Sequence, residues 1–326
     1  MIRDMLGGWN HYWFAPHPTT CMTVPRIAIC LVSAIWFASF WSSAPAWLSA
    51  DGLLQRPLAA QMLIVDQTPA WQVWSPLWLV QSAVWFQAWL VVGVVLSLLA
   101  ASGFGGRLTM TVLCLWAIAW ANRLVALSGL VEPMLIASLG YLIVDPGVPV
   151  TSYLRADGRN SRTTEDRWSA GLALRLLQTH WWLLVAAGML SQLGGLVWWR
   201  GEAVWWLAAA GRSNWLSIEL IRGQASWINA LTHAVIVVQI LALWLLTVPT
   251  ARPVGIACGV LVACVYGGAA DYGLYAVLLL AVLTSFACRA PGRFLHAEAE
   301  LEAATAGRAR LTREPARARK IAESAQ

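Results

Sequence analysis

The sequence predicts an all-α, polytopic integral membrane bundle. Of its 326 residues, 59% belong to the hydrophobic set and only 12% are charged, against about 45–50% and about 25% in soluble domains. Mean hydropathy is +0.62. Apolar runs of the length needed to cross a bilayer, about 20 residues, recur between residues 25 and 288. The 22 tryptophans fit many membrane-interface crossings, since their amphipathic rings prefer the headgroup level.

Residues 1–24 carry Arg3, Asp4, the aromatics of H-Y-W-F and the prolines of P-H-P. They lack the apolar core of about 7–15 residues that a cleavable signal needs. The expectation is an N-terminal cytoplasmic or interfacial segment, with insertion resting on internal spans. Apolar runs then place spans near 25–48, 77–101, 108–122, 129–145, 170–190, 228–248, 253–270 and 273–288, about eight in all. Together they form one transmembrane domain, 25–288. The stretch A-V-W-W-L-A-A-A-G at 203–211 is too short to cross and reads as interfacial or re-entrant. Two long loops, 49–76 and 195–227, bear tryptophans, and Trp71, Trp74, Trp198, Trp199, Trp205, Trp206, Trp215 and Trp227, with Trp47 just before the first loop, read as an outer-face belt or the lining of a substrate or lipid groove. Residues 146–167, with P-G and D-G, read as solvated linker. Residues 289–326 read as a charged cytoplasmic tail, a short surface helix or disorder.

Charge sets the orientation. With the N-terminus in the cytoplasm, sixteen of the 22 basic residues lie on that side, five (Arg56, Arg123, Arg200, Arg212 and Arg222) lie opposite, and Arg175 falls inside a span. This asymmetry predicts both termini inside. It also accounts for the net charge of +6 without a nucleic-acid partner, because the basic residues are not interleaved with a soluble aromatic platform. The one lysine is Lys320, far from any apolar run.

Motif chemistry is mostly excluded. There is no H-E-x-x-H, no Gly-x-Ser-x-Gly, no P-loop and no G-x-G-x-x-G. The six cysteines form no C-x-x-C and no metal-ligand spacing, so no metal is expected and the cysteines read as small hydrophobes. What remains are polar side chains at membrane depth, each a site hypothesis because burying it in lipid is costly. Arg175, Gln178 and Gln192 share one helical face. Snorkelling of the arginine and interhelical hydrogen bonds of the glutamines are the ordinary alternative. His180 faces the other way. Asn229 and His233, four apart with Thr232 beside them, could pair so that the amide orients the imidazole for base or ligand chemistry, or simply satisfies it. Glu132, just before Pro133, suits a helix N-terminus, and Asp271 suits the turn in G-G-A-A-D-Y-G.

The order of punctuating residues resembles the HTTM (horizontally transferred transmembrane) family, related to the membrane domain of vitamin K-dependent gamma-carboxylase and to the B-type membrane protein of the sporulation-delaying system. It runs from W-x-x-Y-W-F-x-P at 9–16 through P-R-I at 25–27, W-L-S-A-D-G-L at 47–53, G-F-G-G-R at 103–107, Asn122-Arg123 and D-P-G at 145–147. The segment 174–203, with its A-G pair, and P-x-x-R-P at 249–253 complete the set. In the carboxylase branch a lysine in the A-G segment acts on the vitamin K derivative and a histidine in an earlier span supports the carbanion. Here the lysine position holds Gln192, and the histidine position falls near Glu132. A glutamine amide exchanges no proton at useful pH, so the resemblance argues against carboxylase chemistry.

The expectation is therefore an HTTM-like protein of a bacterial inner membrane that binds a lipid, quinone or peptide and assists maturation or export of a partner protein. Arg175, Gln178, Gln192, Asn229 and His233 are the binding candidates, and no resident cofactor is predicted. The alternative is a divergent membrane-bound protein- or peptide-modifying enzyme, for which Glu132, Gln192 and His233 are the catalytic candidates.

Overall fold

The computed structural model describes residues 2–55, 57–59, 61, 74–124, 129–155, 166–210, 219 and 222–288. The described part is helical, apart from one short antiparallel pairing of β1 (His17–Pro18) with β2 (Asp166–Arg167). In order the helices are α1 (Ile2–Phe14), α2 (Thr23–Ser39), α3 (Ser43–Leu48), α4 (Ala83–Ser102), α5 (Gly106–Arg123), α6 (Val131–Val144) and α7 (Val150–Arg155). After β2 come α8 (Trp168–Leu193), α9 (Leu196–Trp199), α10 (Ala203–Ala209), α11 (Ala225–Leu245), α12 (Arg252–Cys264) and α13 (Gly273–Leu283). The tail expected at 289–326 and the tryptophans Trp71 and Trp215 lie outside the described residues.

Among the described residues four helical stretches are long and apolar enough to cross a membrane: Thr19–Ser39, Ala83–Ser102, Ala225–Leu245 and Arg252–Ala269. Two more, Val131–Val144 and Gly273–Ala287, are apolar but shorter. Helix α8 has 26 residues, and Arg175, Gln178 and His180 within it dilute its hydropathy.

The first apolar run does not continue as one helix from 25 to 48. Helix α2 tolerates Pro25 because it sits in the first turn, where an N–H has no helical partner. It stops at Ser39, whose hydroxyl donates to Trp36 O, and Ser43 likewise donates to Phe40 O. Those serines offer the backbone an alternative to the helical ladder, and the chain turns before α3. A hydropathy window averages over such a break.

Neighbouring helices run antiparallel, as their contacts show. From α2 to α4, Arg26 reaches Ala101 O, the Ser33 and Ser97 hydroxyls bond at 3.0 Å, and Gly93 lies flat against the Phe37 ring. A Cβ on Gly93 would fall 2.7 Å from that ring, so glycine sets the close approach. From α4 to α5, Trp89 stacks on Trp116 at 3.5 Å and Phe86 meets Trp120 edge-on. Helix α4 ends in a left-handed Gly103, φ 84°, with Phe104 N bonded back to Leu99 O. Helix α13 packs on α2, α8 and α12, with Gly259 opposite Leu283. Trp36, Trp120 and Trp181 are fully buried, whereas Trp74, Trp199, Trp206 and Trp227 are exposed. The tryptophans thus divide between core and surface.

His17 is buried beside Asp166 and Arg175 and hydrogen-bonds Ala15 O through Nδ1 at 2.8 Å. Burial, the largest cause, holds its pKa below the ordinary 6.5, the Ala15 bond opposes that shift, Arg175 adds to it and Asp166 opposes it. A histidine whose folded pKa is depressed contributes stability above the unfolded value and loses it as the pH falls below that value. Acidification below 6.5 is therefore expected to loosen the α1–β1 segment. Hydrogen exchange of residues 9–18 at neutral and mildly acid pH checks this, and His17→Gln should remove the difference.

Candidate functional site

Arg175 and Gln178 lie in the N-terminal half of α8. There the Arg175 Nη1 donates to Gln178 Oε1 at 3.0 Å, and Gln178 Nε2 donates to Ser285 O at 3.0 Å. Arg175 also lies over the Tyr12 ring, 4.7 Å from its centroid, a cation–π contact. Among the described residues no carboxylate pairs with Arg175, and its buried Nε has no partner. Arg252 enters from the first turn of α12, with Nη1 3.5 Å from Cys288 O.

These groups line one pocket of about 320 Å³, together with Thr179, Trp182, Leu183, Leu246, Thr247 and Phe286. Two guanidinium groups and an amide face a wall of aromatic and aliphatic carbon. Phe286 of the pocket wall packs against the fully buried Trp181, with ring centroids 5.7 Å apart. Arg252 sits at a helix N-terminus, where the macrodipole disfavours a cation. An anion in the pocket would be favoured by both arginines and by that helix end. Leu183, 62% exposed, and Trp182 continue the mouth onto the apolar outside of α8. The pocket therefore has a cationic head end and an apolar flank.

The other expected residues lie elsewhere. Gln192 shares a face with Gln178 but stands 14 positions further along α8, about 21 Å at 1.5 Å per residue. It is half-buried with Oε1 unpartnered, and it does not line the pocket. Asn229 and His233 are exposed on α11. The Asn229 amide donates to Arg200 O, and His233 Nδ1 meets the Asn229 backbone carbonyl at 2.9 Å, so the amide does not orient the ring. Thr232 is buried beside them and ties α11 to the α9–α10 turn through Gly201 O and Val204 N.

Glu132 is buried at the start of α6, where Oε2 accepts from Gly129 N at 2.7 Å and Oε1 from Trp36 Nε1 at 3.3 Å. Oε1 thus holds α6 on α2, and Oε2 closes the turn that leads into α6. Glu132→Gln turns one acceptor into a donor facing a donor and is expected to cost about 1–3 kcal/mol. Thermal unfolding in detergent measures this, and an unchanged variant would exclude a capping role. Asp271 occupies a left-handed turn, φ 61°.

Sequence reasoning missed three features. His180 bonds the Tyr141 hydroxyl through Nδ1 at 3.1 Å, linking α8 to α6. Arg26 and Arg123, read as topological charges and as parts of the P-R-I and Asn122-Arg123 motifs, are 1% and 2% exposed. Arg26 donates to Pro146 O and Ala101 O, and Arg123 to Leu48 O and Leu54 O beneath the Trp78 and Phe86 rings. Third, Cys21 and Cys288 are joined by a disulfide, which corrects the reading of all six cysteines as small hydrophobes. Among the described residues no group of three His, Cys, Asp or Glu side chains is placed to hold a metal ion. No family model matches this chain, and no curated protein or solved structure does either.

Proposed function

We propose that this chain is a polytopic membrane protein of the HTTM type that binds an amphiphile with an anionic head group. The head lies in the pocket of Arg175, Gln178 and Arg252, and the apolar chain runs along Leu183 and Trp182. The observation that carries this reading is the pair of arginines in one pocket that opens onto an exposed apolar flank. Basic pockets between membrane helices suit lipid phosphates on the cytoplasmic side. The proposed topology has about eight spans with both termini inside. Arg26 at the start of α2, Arg107 at the start of α5 and Arg252 at the start of α12 then share the cytoplasmic end with the pocket. A bacterial inner membrane offers such anionic lipids in its cytoplasmic leaflet. Assistance to the maturation or export of a partner protein is the role proposed for the loaded protein.

Native mass spectrometry of the protein purified in mild detergent, with extraction of the bound molecule, tests the reading. The expected result is a stoichiometric anionic lipid or similar amphiphile. A protein that carries only zwitterionic lipid, or none after anionic lipid is added back, overturns it.

A further inference from the structure

The disulfide between Cys21 and Cys288 joins positions 267 residues apart, with Cα atoms 5.6 Å from each other. Cys21 lies in the tight turn Thr19–Met22 that leads into α2, and Cys288 directly follows the turn Thr284–Ala287 that closes α13. Both are half-buried, and both line an open pocket of about 260 Å³ with Thr20, Val24, Thr284 and Ala287. Cys30 and Cys114, by contrast, are buried. Cys258 and Cys264 are half-buried and free, and Cys264 lines another pocket, so among the described residues the Cys21–Cys288 pair is the disulfide that borders a cavity a small thiol can enter. Thiol–disulfide exchange needs that access, because the attacking thiolate must reach a sulfur atom.

The turn that carries Cys288 also forms a wall of the arginine pocket. Ser285 O accepts from Gln178, Phe286 faces the pocket interior, and Cys288 O lies 3.5 Å from Arg252 Nη1. Residues Thr284–Cys288 therefore separate two cavities, with the disulfide on one side and the arginines on the other. The pair stands at the end of the bundle where Arg26 and Arg252 begin their helices. If that end faces the cytoplasm, its thiol pool reduces ordinary disulfides, so the bond there is exchangeable and not a permanent staple.

We infer that Cys21 and Cys288 form a thiol–disulfide exchange site for a dithiol reductant, and that its state sets the wall of the adjoining arginine pocket. The exchange itself stands alone; its effect on binding rests on the anionic-amphiphile reading. In the reductive direction a thiolate of the dithiol attacks one sulfur of the pair, the Cys21–Cys288 bond breaks, and the second cysteine leaves as thiolate and takes a proton. The other thiol of the reductant then attacks the mixed disulfide and frees the first cysteine. Two electrons and two protons pass to the protein, and the dithiol becomes a disulfide. Once reduced, Cys288 is released from Cys21, and the covalent tie between the Thr284–Cys288 turn and the turn that leads into α2 is gone.

The test uses the full chain in lipid nanodiscs containing phosphatidylglycerol, with and without excess dithiothreitol, followed by maleimide labelling and peptide mapping. The expected result is that Cys21 and Cys288 pass together from a linked peptide to two labelled peptides under native conditions, and return on oxidation, while Cys30 and Cys114 stay unlabelled. Independent labelling of the two in oxidant, or a pair that excess reductant cannot open in the native protein, overturns the exchange site. Phosphatidylglycerol occupancy, read by native mass spectrometry, is expected to differ between the two states by about fivefold or more. The Cys21→Ser, Cys288→Ser double variant should match the reduced protein in either buffer. Equal occupancy in both states overturns the coupling. No phosphatidylglycerol in either state overturns the pocket reading and leaves the exchange to be judged by labelling alone.

Discussion

Replacing Arg26 by alanine is expected to cost about 3–5 kcal/mol of stability, more than any other single truncation at the Arg-rich end of the bundle. Arg26 is 1% exposed and reaches from the first turn of α2 to Pro146 O at 2.6 Å and Ala101 O at 3.4 Å. Ala101 belongs to the last turn of α4, whose carbonyls have no helical partner and carry the negative end of the macrodipole. The guanidinium therefore closes one helix end and fastens the Asp145–Gly147 turn to two others. Its removal leaves two carbonyls unsatisfied and opens a cavity against Gly103, where Arg26 already comes within 3.0 Å of the Cβ position. Arg26→Lys should lie between, because one ammonium keeps the charge but cannot span both carbonyls as a planar fork does. Thermal unfolding of purified protein in one detergent checks the order wild type, lysine, alanine. An alanine variant within about 1 kcal/mol of wild type would refute the capping account.

Loss of anionic-lipid binding in arginine variants of the pocket is the second large effect. A charge-assisted hydrogen bond contributes about 1.5–3 kcal/mol, and a tenfold change in affinity is about 1.4 kcal/mol. Arg175→Gln and Arg252→Gln are each expected to weaken phosphatidylglycerol binding by about tenfold or more, and the double variant by about a hundredfold. Glutamine keeps some stem and donors, so the pocket shape survives. Arg175→Gln also lets Gln178 relax, since the arginine now donates to its Oε1. Binding of a zwitterionic lipid should change little in the same titration. Equal loss for both lipids would mean that the variants damage the fold and not a charge-selective site.

The helical membrane class was legible because composition alone leaves too few charges for a soluble surface. Arg175 and Gln178 were legible as a pair because positions three apart on a helix are neighbours. Gln192 was not separable from them by the same argument: a shared face says nothing about depth, and α8 is long enough to place two such residues at opposite ends. The break after Ser39 was invisible to hydropathy, since Phe40 and Trp41 are as apolar as what precedes them and only the serine hydroxyls redirect the backbone. Asn229 and His233 had the right spacing, but spacing does not say which face of α11 meets protein. The Cys21–Cys288 pairing was beyond reach, because nothing local relates residues 267 positions apart.

The packing of α13 against α2 bears on how the protein is made. Helix α2 is synthesised long before α13, so it is inserted with a flank that stays uncovered until α13 follows. Ile29 and Val32 of α2 and Leu278, Leu279 and Val282 of α13 are buried. A chain stopped before residue 273 presents this flank to lipid or to the wrong helix, and quality-control proteases should clear it even though every earlier span is intact. Co-expression of residues 273–326 as a separate fragment should rescue such a truncated chain from degradation.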